Sequence, residues 1–407
     1  MSAGLAAVLV LSTSSSAAAH VRPPTPDQWP IVLSETVSAP ETITRGVRWY
    51  TDTLHTVAGG QRAQVLEVDL GDPNVRLGVV ESHDRLTDPA GEVPSSMAER
   101  TGAVAGVNGD FFDIFRSGRP HGMVVRDGRL VKSPNPRWTA DLWVRLDGSI
   151  GIGTETYSGA VTDVTPGASR PATHAITSVN TVEDLASGAL VRVTADLGAR
   201  VSLPASAVVV SGRTDPLSPG SWRVKSVRTG VTRLPHLDAD TQELVGSGSS
   251  GRWLARTVRT GDRLRVNEHL GPDDTVAQAI SGGAVLVRDG ARAVPLHGSG
   301  DNNVANPITA VGVTRDGRHA VFVAFDGRKP HVIAAGLTRP QIAGWMLAHG
   351  AYQAILFDGG GSTDMVARLP GARQAAVLNQ PSDGHQRPVA NGLFVYHTGR
   401  RDAVVER

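Results

Sequence analysis

Along most of the chain, apolar and polar positions alternate in short runs. Gln64-Val65-Leu66-Glu67-Val68-Asp69-Leu70 and Val75-Arg76-Leu77-Gly78-Val79-Val80 are examples. A period of two places alternate side chains on opposite faces of a sheet, so these runs predict half-buried strands. Denser apolar runs, Ala103 to Val107, Val321 to Phe325 and Ala354 to Phe357, predict strands buried on both faces. Asp-Gly pairs lie between apolar runs at 127–128, 147–148, 289–290 and 316–317. Each predicts a type I′ hairpin turn, because Gly accepts positive φ freely and Asp tolerates it. These four pairs belong to the scaffold.

Helical signals are few. Ser96 and Glu99 have the spacing of a capping box just after Pro94, predicting a short helix near Ser96 to Arg100. Thr338 is a candidate N-cap, followed by Pro340 and Ile342-Ala343-Gly344-Trp345-Met346-Leu347, with Gly350 as the C′ residue. Each helix leads into an apolar strand that ends in a polar residue and a Gly-containing loop: Asn108-Gly109-Asp110 after the first, Asp358-Gly359-Gly360-Gly361 after the second. The carboxyl end of a strand in a sheet that packs against helices is where ligands tend to sit, so the two segments are expected to converge on one cleft.

Between them, Gly151 to Pro272 is rich in Thr, Ser, Val and Gly, with strand-like pieces at Arg192 to Asp196 and Ala207 to Val210; Ser247-Gly248-Ser249-Ser250-Gly251 reads as a flexible turn or linker. The fold class expected is α+β, a mixed, strand-rich sheet core with few helices and a β-rich insertion. In domain terms, 41–150 and 273–398 are expected to form two parts of one core, with 151–272 inserted between them and 399–407 as a tail.

The N-terminus changes the picture of where the protein works. An apolar run from Leu5 to Leu11 passes through serines into Ala17-Ala18-Ala19, the layout of a secretory signal with small-residue cleavage before His20. No Lys or Arg precedes the run, a departure from the usual layout of such a signal. On this reading 1–19 is a signal peptide, 20–40 a Pro-rich linker, and the location secreted or extracytoplasmic. No later segment approaches the roughly 20 apolar residues that a membrane helix needs.

Among 407 residues, 40 basic and 39 acidic side chains nearly cancel and no long block of one sign occurs, so a nucleic-acid partner is not expected. With no cysteine, disulfides and thiolate metal sites are excluded, and stability has to come from the core.

Candidate chemistry gathers at the strand ends. Phe357-Asp358-Gly359-Gly360-Gly361-Ser362-Thr363 puts three glycines where each costs backbone entropy, so something must favour them. Close approach of the backbone to an anion is one reason, with Ser362 and Thr363 as hydroxyl donors; a tight surface loop is the other. Asp358 is suited to act as general base, nucleophile or metal ligand, or simply to close an Asx turn. Asn108-Gly109-Asp110-Phe111-Phe112-Asp113 mixes amide, carboxylates and aromatic rings, as sugar sites do, although an Asn-Gly turn with core phenylalanines has the same composition. His121 could donate a proton. Asp326-Gly327-Arg328 ends another apolar strand, and an Arg there suits bidentate contact with phosphate, or the pair is one more hairpin turn. Ser281-Gly282-Gly283 and the Asn379 to Asn391 segment, with Arg387 as a second candidate phosphate ligand, complete the set. No cofactor is required; calcium, a hard cation taking oxygen ligands, is compatible with a site between two of the Asp side chains.

These pieces, in this order, resemble the phosphodiester glycosidase family over about Arg45 to Tyr396, with the middle region weakest. The resemblance rests on Val107-Asn108-Gly109-Asp110-Phe111-Phe112, Ser281-Gly282-Gly283, Phe325-Asp326-Gly327-Arg328, Gly336-Leu337-Thr338, Asp358-Gly359-Gly360-Gly361-Ser362-Thr363 and Arg387-Pro388-Val389-Ala390-Asn391. It implies a hydrolase that cleaves between an anomeric carbon and a phosphate oxygen, acting on a carbohydrate or phosphoglycan. Asp110, Asp326 and Asp358 would share the roles of base, nucleophile and oxocarbenium-stabilising carboxylate. Asn108, His121, Gly282, Gly283, Thr309, Arg328, Gly359, Gly360, Gly361, Ser362, Thr363, Arg387 and Asn391 would contact substrate. One departure stands out: where the family usually carries Pro-Arg-Thr-Ala, this chain has Pro307-Ile308-Thr309-Ala310. An apolar residue thus replaces an expected cation, which points to a different substrate group, to a glycan without phosphate, or to reduced activity with Arg328 and Arg387 left to hold the anion. A carbohydrate-binding module that has lost catalysis is the remaining alternative. For an exported protein of bacterial type, location alone makes a phosphodiester-linked envelope polymer a reasonable substrate to expect.

Overall fold

The computed structural model describes residues 32–398, apart from 58, 139, 168–171, 183–184, 186–187, 216–219, 295–303 and 330–333. The expected signal peptide, the first part of the expected linker and the tail 399–407 lie outside the described residues. The rest of that linker is not loose chain, because Val32–Val37 forms an edge strand paired with Val47–Thr56. Its Val32 and Glu35 are buried while Leu33 is exposed.

The fold is α+β and rich in strands, as expected. Among the described residues there are three α-helices: α1 (Pro94–Thr101), α2 (Gly248–Thr257) and α3 (Arg339–Ala348). A nine-stranded sheet draws its strands from 32–69 and from 284–356. At its centre Ile308–Val313 lies between His319–Phe325 and Gln353–Leu356, antiparallel to both. Those two flanking strands therefore run the same way and end side by side, at Asp326 and Asp358.

A five-stranded sheet places Ala105–Asn108 between Met365–Ala367 and Asn391–His397. A second five-stranded sheet holds Val124–Arg126, Ala140–Arg145 and Val276–Gly282. An eight-stranded sheet is drawn wholly from 157–270. Its ladders include a parallel pair, Ser178–Val179 with Leu190–Val193.

Each helix lies on one apolar cluster. Ile342, Ala343, Trp345 and Met346 of α3 are buried with Val65, Val323 and Phe325 of the nine-stranded sheet, and Trp345 meets Phe325 edge to face at 5.4 Å between centroids. Burying each of the larger side chains contributes about 1.5–3 kcal/mol. The expected N-cap of α3 holds: Thr338 and Gln341 form a capping box, and Gly350 follows at φ +81°.

Other expectations are corrected. α1 starts at Pro94, so Ser96 lies inside the first turn and donates to Glu92 instead of capping, while Glu99 accepts from the Ala375 N–H. The segment read as a linker at Ser247 to Gly251 opens α2, where Ser247 is the N-cap residue and Leu254 is fully buried on the eight-stranded sheet. Of the four Asp-Gly turns, 127–128 and 289–290 have positive φ at both residues, as type I′ requires. At 147–148 and 316–317 only the Gly does, and the connecting loops are longer.

Candidate active site at the seam between two sheets

The carboxyl ends of two strands from different sheets meet at Asn108 and Asp358. Asn108 spends its amide entirely on the protein: its Nδ2 donates to the Asp358 carbonyl at 2.8 Å, and its Oδ1 accepts from Thr309 Oγ1 at 2.6 Å and from the Asp364 N–H at 3.0 Å. The Asp358 N–H donates to the Gly109 carbonyl at 2.9 Å. Asn108 and Thr309 are thus braces that lock the seam, both buried and both committed to protein partners.

Asp358 lies half-buried in a cleft of about 370 Å³ lined by Phe111, Ile308, Arg328, Arg339, Gly359–Gly361 and Arg387 among others. Among the described residues of that lining it is the one carboxylate, and three arginines share it. Burial pushes its carboxyl up to about 6 against the pull of the Ser362 hydroxyl, the Gly359 N–H and Arg387.

The glycines do something other than what their sequence suggests. Gly359 donates its N–H to Asp358 Oδ1 at 2.9 Å and Gly360 to the Pro307 carbonyl at 2.9 Å; Ser362 and Thr363 donate back into the loop. The expected cradle of N–H groups for an anion is therefore largely consumed internally. A Cβ on Gly360 would lie 2.8 Å from Arg328 Nη2, and one on Gly361 would lie 2.0 Å from Arg387 Nη2. The glycines make room for two guanidiniums to rest on the backbone.

Arg387 is held by Asp383, whose Oδ2 accepts from Nη2 at 2.6 Å and from Nε at 3.0 Å. Its Nη1 reaches Ser362 Oγ at 3.5 Å, so Ser362 links Asp358 to Arg387. Arg328 donates from Nε and Nη2 to Asn306 Oδ1 at 3.2 and 3.1 Å and adopts φ +60°. A left-handed non-Gly residue costs about 1–2 kcal/mol, and such strain gathers at functional sites.

Asp110 stands beside this cleft, outside its lining. Its Oδ2 accepts from the Gly122 N–H at 2.6 Å and its Oδ1 from Trp138 Nε1 at 2.8 Å, while its own N–H donates to Asn391 Oδ1 at 2.9 Å. Burial pushes its carboxyl up to about 7; Gly122, Lys132 and Trp138 oppose this, and repulsion from Asp358 adds to it. Lys132, itself buried, gives its ammonium to the carbonyls of Pro120, His121 and Gly122 at 3.0, 2.6 and 3.0 Å. Trp138 meets Phe111 at 5.3 Å and His121 at 5.2 Å, both edge to face. His121 is thus packed in an aromatic cluster behind the cleft. Calcium between Asp110 and Asp358 does not fit this donor set: N–H and O–H groups converge on the two carboxylates, whereas the ion needs six to eight oxygens.

Asp326 is placed differently. It is 1% exposed, accepts from the Gln380 N–H at 2.7 Å, and has Arg62 and Lys329 as its charged neighbours. Burial holds its carboxyl above the ordinary value. The structure does not bring it to the cleft wall. Gly282 and Gly283 mark where the chain passes from the second five-stranded sheet to the nine-stranded one. Added Cβ atoms there would meet the Leu356 carbonyl at 2.2 Å and the Phe111 ring at 2.6 Å, so packing accounts for both glycines.

Sequence reasoning passed over Trp138, Lys132, Arg339 and Asp364. Asp364, two residues beyond Ser362, is buried, accepts from Gln386 Nε2 at 2.7 Å and is pushed up to about 7, chiefly by burial. Only its place directly after the Gly-Ser-Thr run could have flagged it.

The strand-rich α+β fold thus places a carboxylate and three arginines at a seam between two sheets. Residues 235–396 match the family model described as phosphodiester glycosidase, and the resemblance read from the sequence is thereby shown over the stretch that supplies Asp326, Asp358 and Arg387. Among solved structures, a hypothetical protein from Synechocystis aligns with a TM-score of 0.69 and 18% identity over 87% of this chain and 62% of that one. The chain thus spans less than two thirds of that relative's length. A protein from Burkholderia pseudomallei K96243 aligns at 0.68 and 18% over 89% of this chain and 96% of the other. Both share the fold. The zebrafish N-acetylglucosamine-1-phosphodiester alpha-N-acetylglucosaminidase catalytic domain, auto-inhibited by its pro-peptide, aligns at 0.47 and 15% over 89% and 88%. No curated protein matches the chain.

Proposed function

We propose that the protein hydrolyses glycosyl-1-phosphodiesters at the bond between the sugar C1 and its oxygen, releasing a free sugar and a phosphomonoester. The observation that carries this reading is the cleft in which Asp358 faces Arg328, Arg339 and Arg387. One carboxylate suits the anomeric carbon, where positive charge develops, and several guanidiniums suit a phosphate.

In the proposed reaction water supplies OH to C1 and a proton to the departing phosphate oxygen. The leaving phosphate is acidic, so a strong general acid is unnecessary. Asp358 acts on the C1 side, either on water or directly. Asp110, with both oxygens engaged by Gly122 and Trp138, is a positioning residue for the Asn108-Gly109 strand end, whose Gly109 carbonyl accepts from the Asp358 N–H. Ile308 gives the cleft an apolar wall where a cation was expected, and Arg339 from the start of α3 supplies positive charge from another side.

Sugar release from a panel of sugar-1-phosphodiesters, with p-nitrophenyl glycosides as phosphate-free controls, tests the reading. Turnover of the phosphodiesters alone is expected. Turnover of the neutral glycosides alone would replace it with hydrolysis of a non-phosphorylated envelope glycan, and turnover of neither would leave a carbohydrate-binding role. The product anomer, followed by NMR, tells whether Asp358 attacks C1 with retention or activates water with inversion. Export belongs to the same proposal and rests on the Leu5 to Ala19 pattern; N-terminal sequencing of the mature protein, expected to begin at His20, checks it.

A further inference from the structure

Directly after Phe111, which lines the cleft, the chain leaves the core and returns in a closed loop, with Phe112 and Pro120 paired as an antiparallel bridge at its base. At the tip stand two adjacent large apolar side chains, Ile114, 41% exposed, and Phe115, 92% exposed. Among the described residues no other large apolar side chain is as exposed as Phe115.

A rigid frame holds that tip in solvent. The Asp113 N–H donates to the Arg119 carbonyl at 2.9 Å, and the Asp113 carbonyl accepts from the Gly118 N–H at 2.9 Å. The Asp113 carboxylate accepts from the Ser117 hydroxyl at 2.8 Å and from the Ser117 N–H at 3.2 Å, closing the loop beneath the tip. A Cβ on Gly118 would lie 1.9 Å from the Asp88 carbonyl, so the loop rests directly on Asp88 and Pro89. Gly91, a little further along that support, packs against Pro388, the neighbour of Arg387 in the cleft. The tip is therefore fixed at the rim of the cleft. Burying an apolar side chain is what stabilises a fold, and this frame keeps Phe115 from folding back onto the protein. Such a tip is built to be covered from outside.

Size and charge limit what covers it. A Phe buries about 150–250 Å², so with Ile114 the tip falls well short of the roughly 800 Å² per partner of a stable protein interface. A lipid surface requires no complementary area, because the boundary between headgroups and acyl chains admits a few apolar side chains to a shallow depth. The next residue is Arg116, whose side chain is 87% exposed and whose Nε lies 3.8 Å from Asp113 Oδ2. An ion pair that long and that exposed is weak, which leaves the guanidinium available to phosphate headgroups.

We propose that the loop 113–118 docks the protein on anionic lipid bilayers, with Ile114 and Phe115 inserted below the headgroups and Arg116 on their phosphates. One shallow tip gives reversible attachment, on the scale of a single acyl chain with an association constant of about 10⁴ M⁻¹. Attachment there brings the mouth of the cleft to the lipid surface.

Full-length protein is sedimented with sucrose-loaded vesicles of phosphatidylcholine, with and without about 30% phosphatidylglycerol. Binding is expected on the anionic vesicles at about 10⁴ M⁻¹, with much less on the neutral ones. Phe115→Ser should weaken it about tenfold, and Arg116→Glu should remove most of the preference for phosphatidylglycerol. In Phe115→Trp the added indole emission should shift to the blue with vesicles, read against wild type. Both positions are exposed, so the variants should keep the wild-type Tm and release sugar from soluble substrates as wild type does. Wild type that ignores the vesicles overturns the proposal, as does binding that Phe115→Ser leaves intact, since charge alone would then carry it. A Phe115→Ser protein with unchanged vesicle binding and a raised KM for soluble sugar-1-phosphodiesters would overturn it in favour of a platform for sugar.

Discussion

Phe325-Asp326-Gly327-Arg328 and Phe357-Asp358-Gly359-Gly360 are nearly the same phrase at the ends of two strands that run side by side around Ile308–Val313. Their fates differ. Asp358 stands in the cleft beside guanidiniums, whereas Asp326 is sealed beneath the Gln380 N–H. Two local sequences with equal chemical promise were separated by what packs over them: glycines and arginines over Asp358, the chain around Asn379 and Gln380 over Asp326. A motif therefore offers a carboxylate, and the neighbouring chain decides whether substrate can reach it.

The largest contrast should come from neutralising each carboxylate. Asp358→Asn is expected to lower kcat/KM for sugar release by about 10³-fold, the scale of losing a charge aimed at the transition state. Asp326→Asn should cost about tenfold, through the tether on the loop that leads to Arg387. Equal losses in steady-state kinetics would erase the distinction between them.

The guanidiniums sharpen the comparison next. Arg387→Ala should lower kcat/KM for phosphodiesters by about 10²-fold, and Gly361→Ala should do similar damage, because its Cβ would displace the same guanidinium. An effect of Gly361→Ala on Tm without one on kinetics would contradict that account.

A third test uses pH. The Asp358 carboxyl is raised to about 6 in the fold against an ordinary value of 3.8. A raised folded pKa means that the folded state holds the proton more tightly. Its contribution to stability is then complete below about pH 4 and is lost as pH rises through about 6. Asp358→Asn removes that buried charge, so at pH 8 it should be more stable than wild type by on the order of 2 kcal/mol, with the gain gone at pH 4. Urea titrations at the two pH values check this, and a variant less stable at pH 8 would mean that Arg387 outweighs burial. The smallest effect on turnover belongs to the other motif: Gly327→Ala, whose Cβ would lie 2.5 Å from Pro307 N, should cost about 1–3 kcal/mol in the same titration while changing turnover only modestly.

The strands and α3 were legible because alternation, apolar runs, a Thr N-cap and a Gly after the last turn are local signals that packing reinforced. α2 was not, because Ser-Gly-rich residues at its start resemble a linker, and what holds it down is the burial of Leu254 with Trp253 and Ala255 packed against the eight-stranded sheet. Within the site, Asp358, Arg328 and Arg387 could be named from their motifs, but Lys132, Trp138 and Arg339 carry no local signal, since their partners are remote in sequence or belong to another element. Asn108 shows the same limit from the other side: its polarity was readable, while its commitment to Thr309, Asp358 and Asp364 was not.

By itself the sequence determined the strand-rich class, the two strand-end loops and the stock of carboxylates and arginines, because these follow from local periodicity and residue chemistry. Only the tertiary structure decided which carboxylate faces the cleft, why the three glycines are needed and where Ile114 and Phe115 stand relative to the cleft. Those depend on distances between segments up to 256 residues apart, which side-chain type alone does not encode.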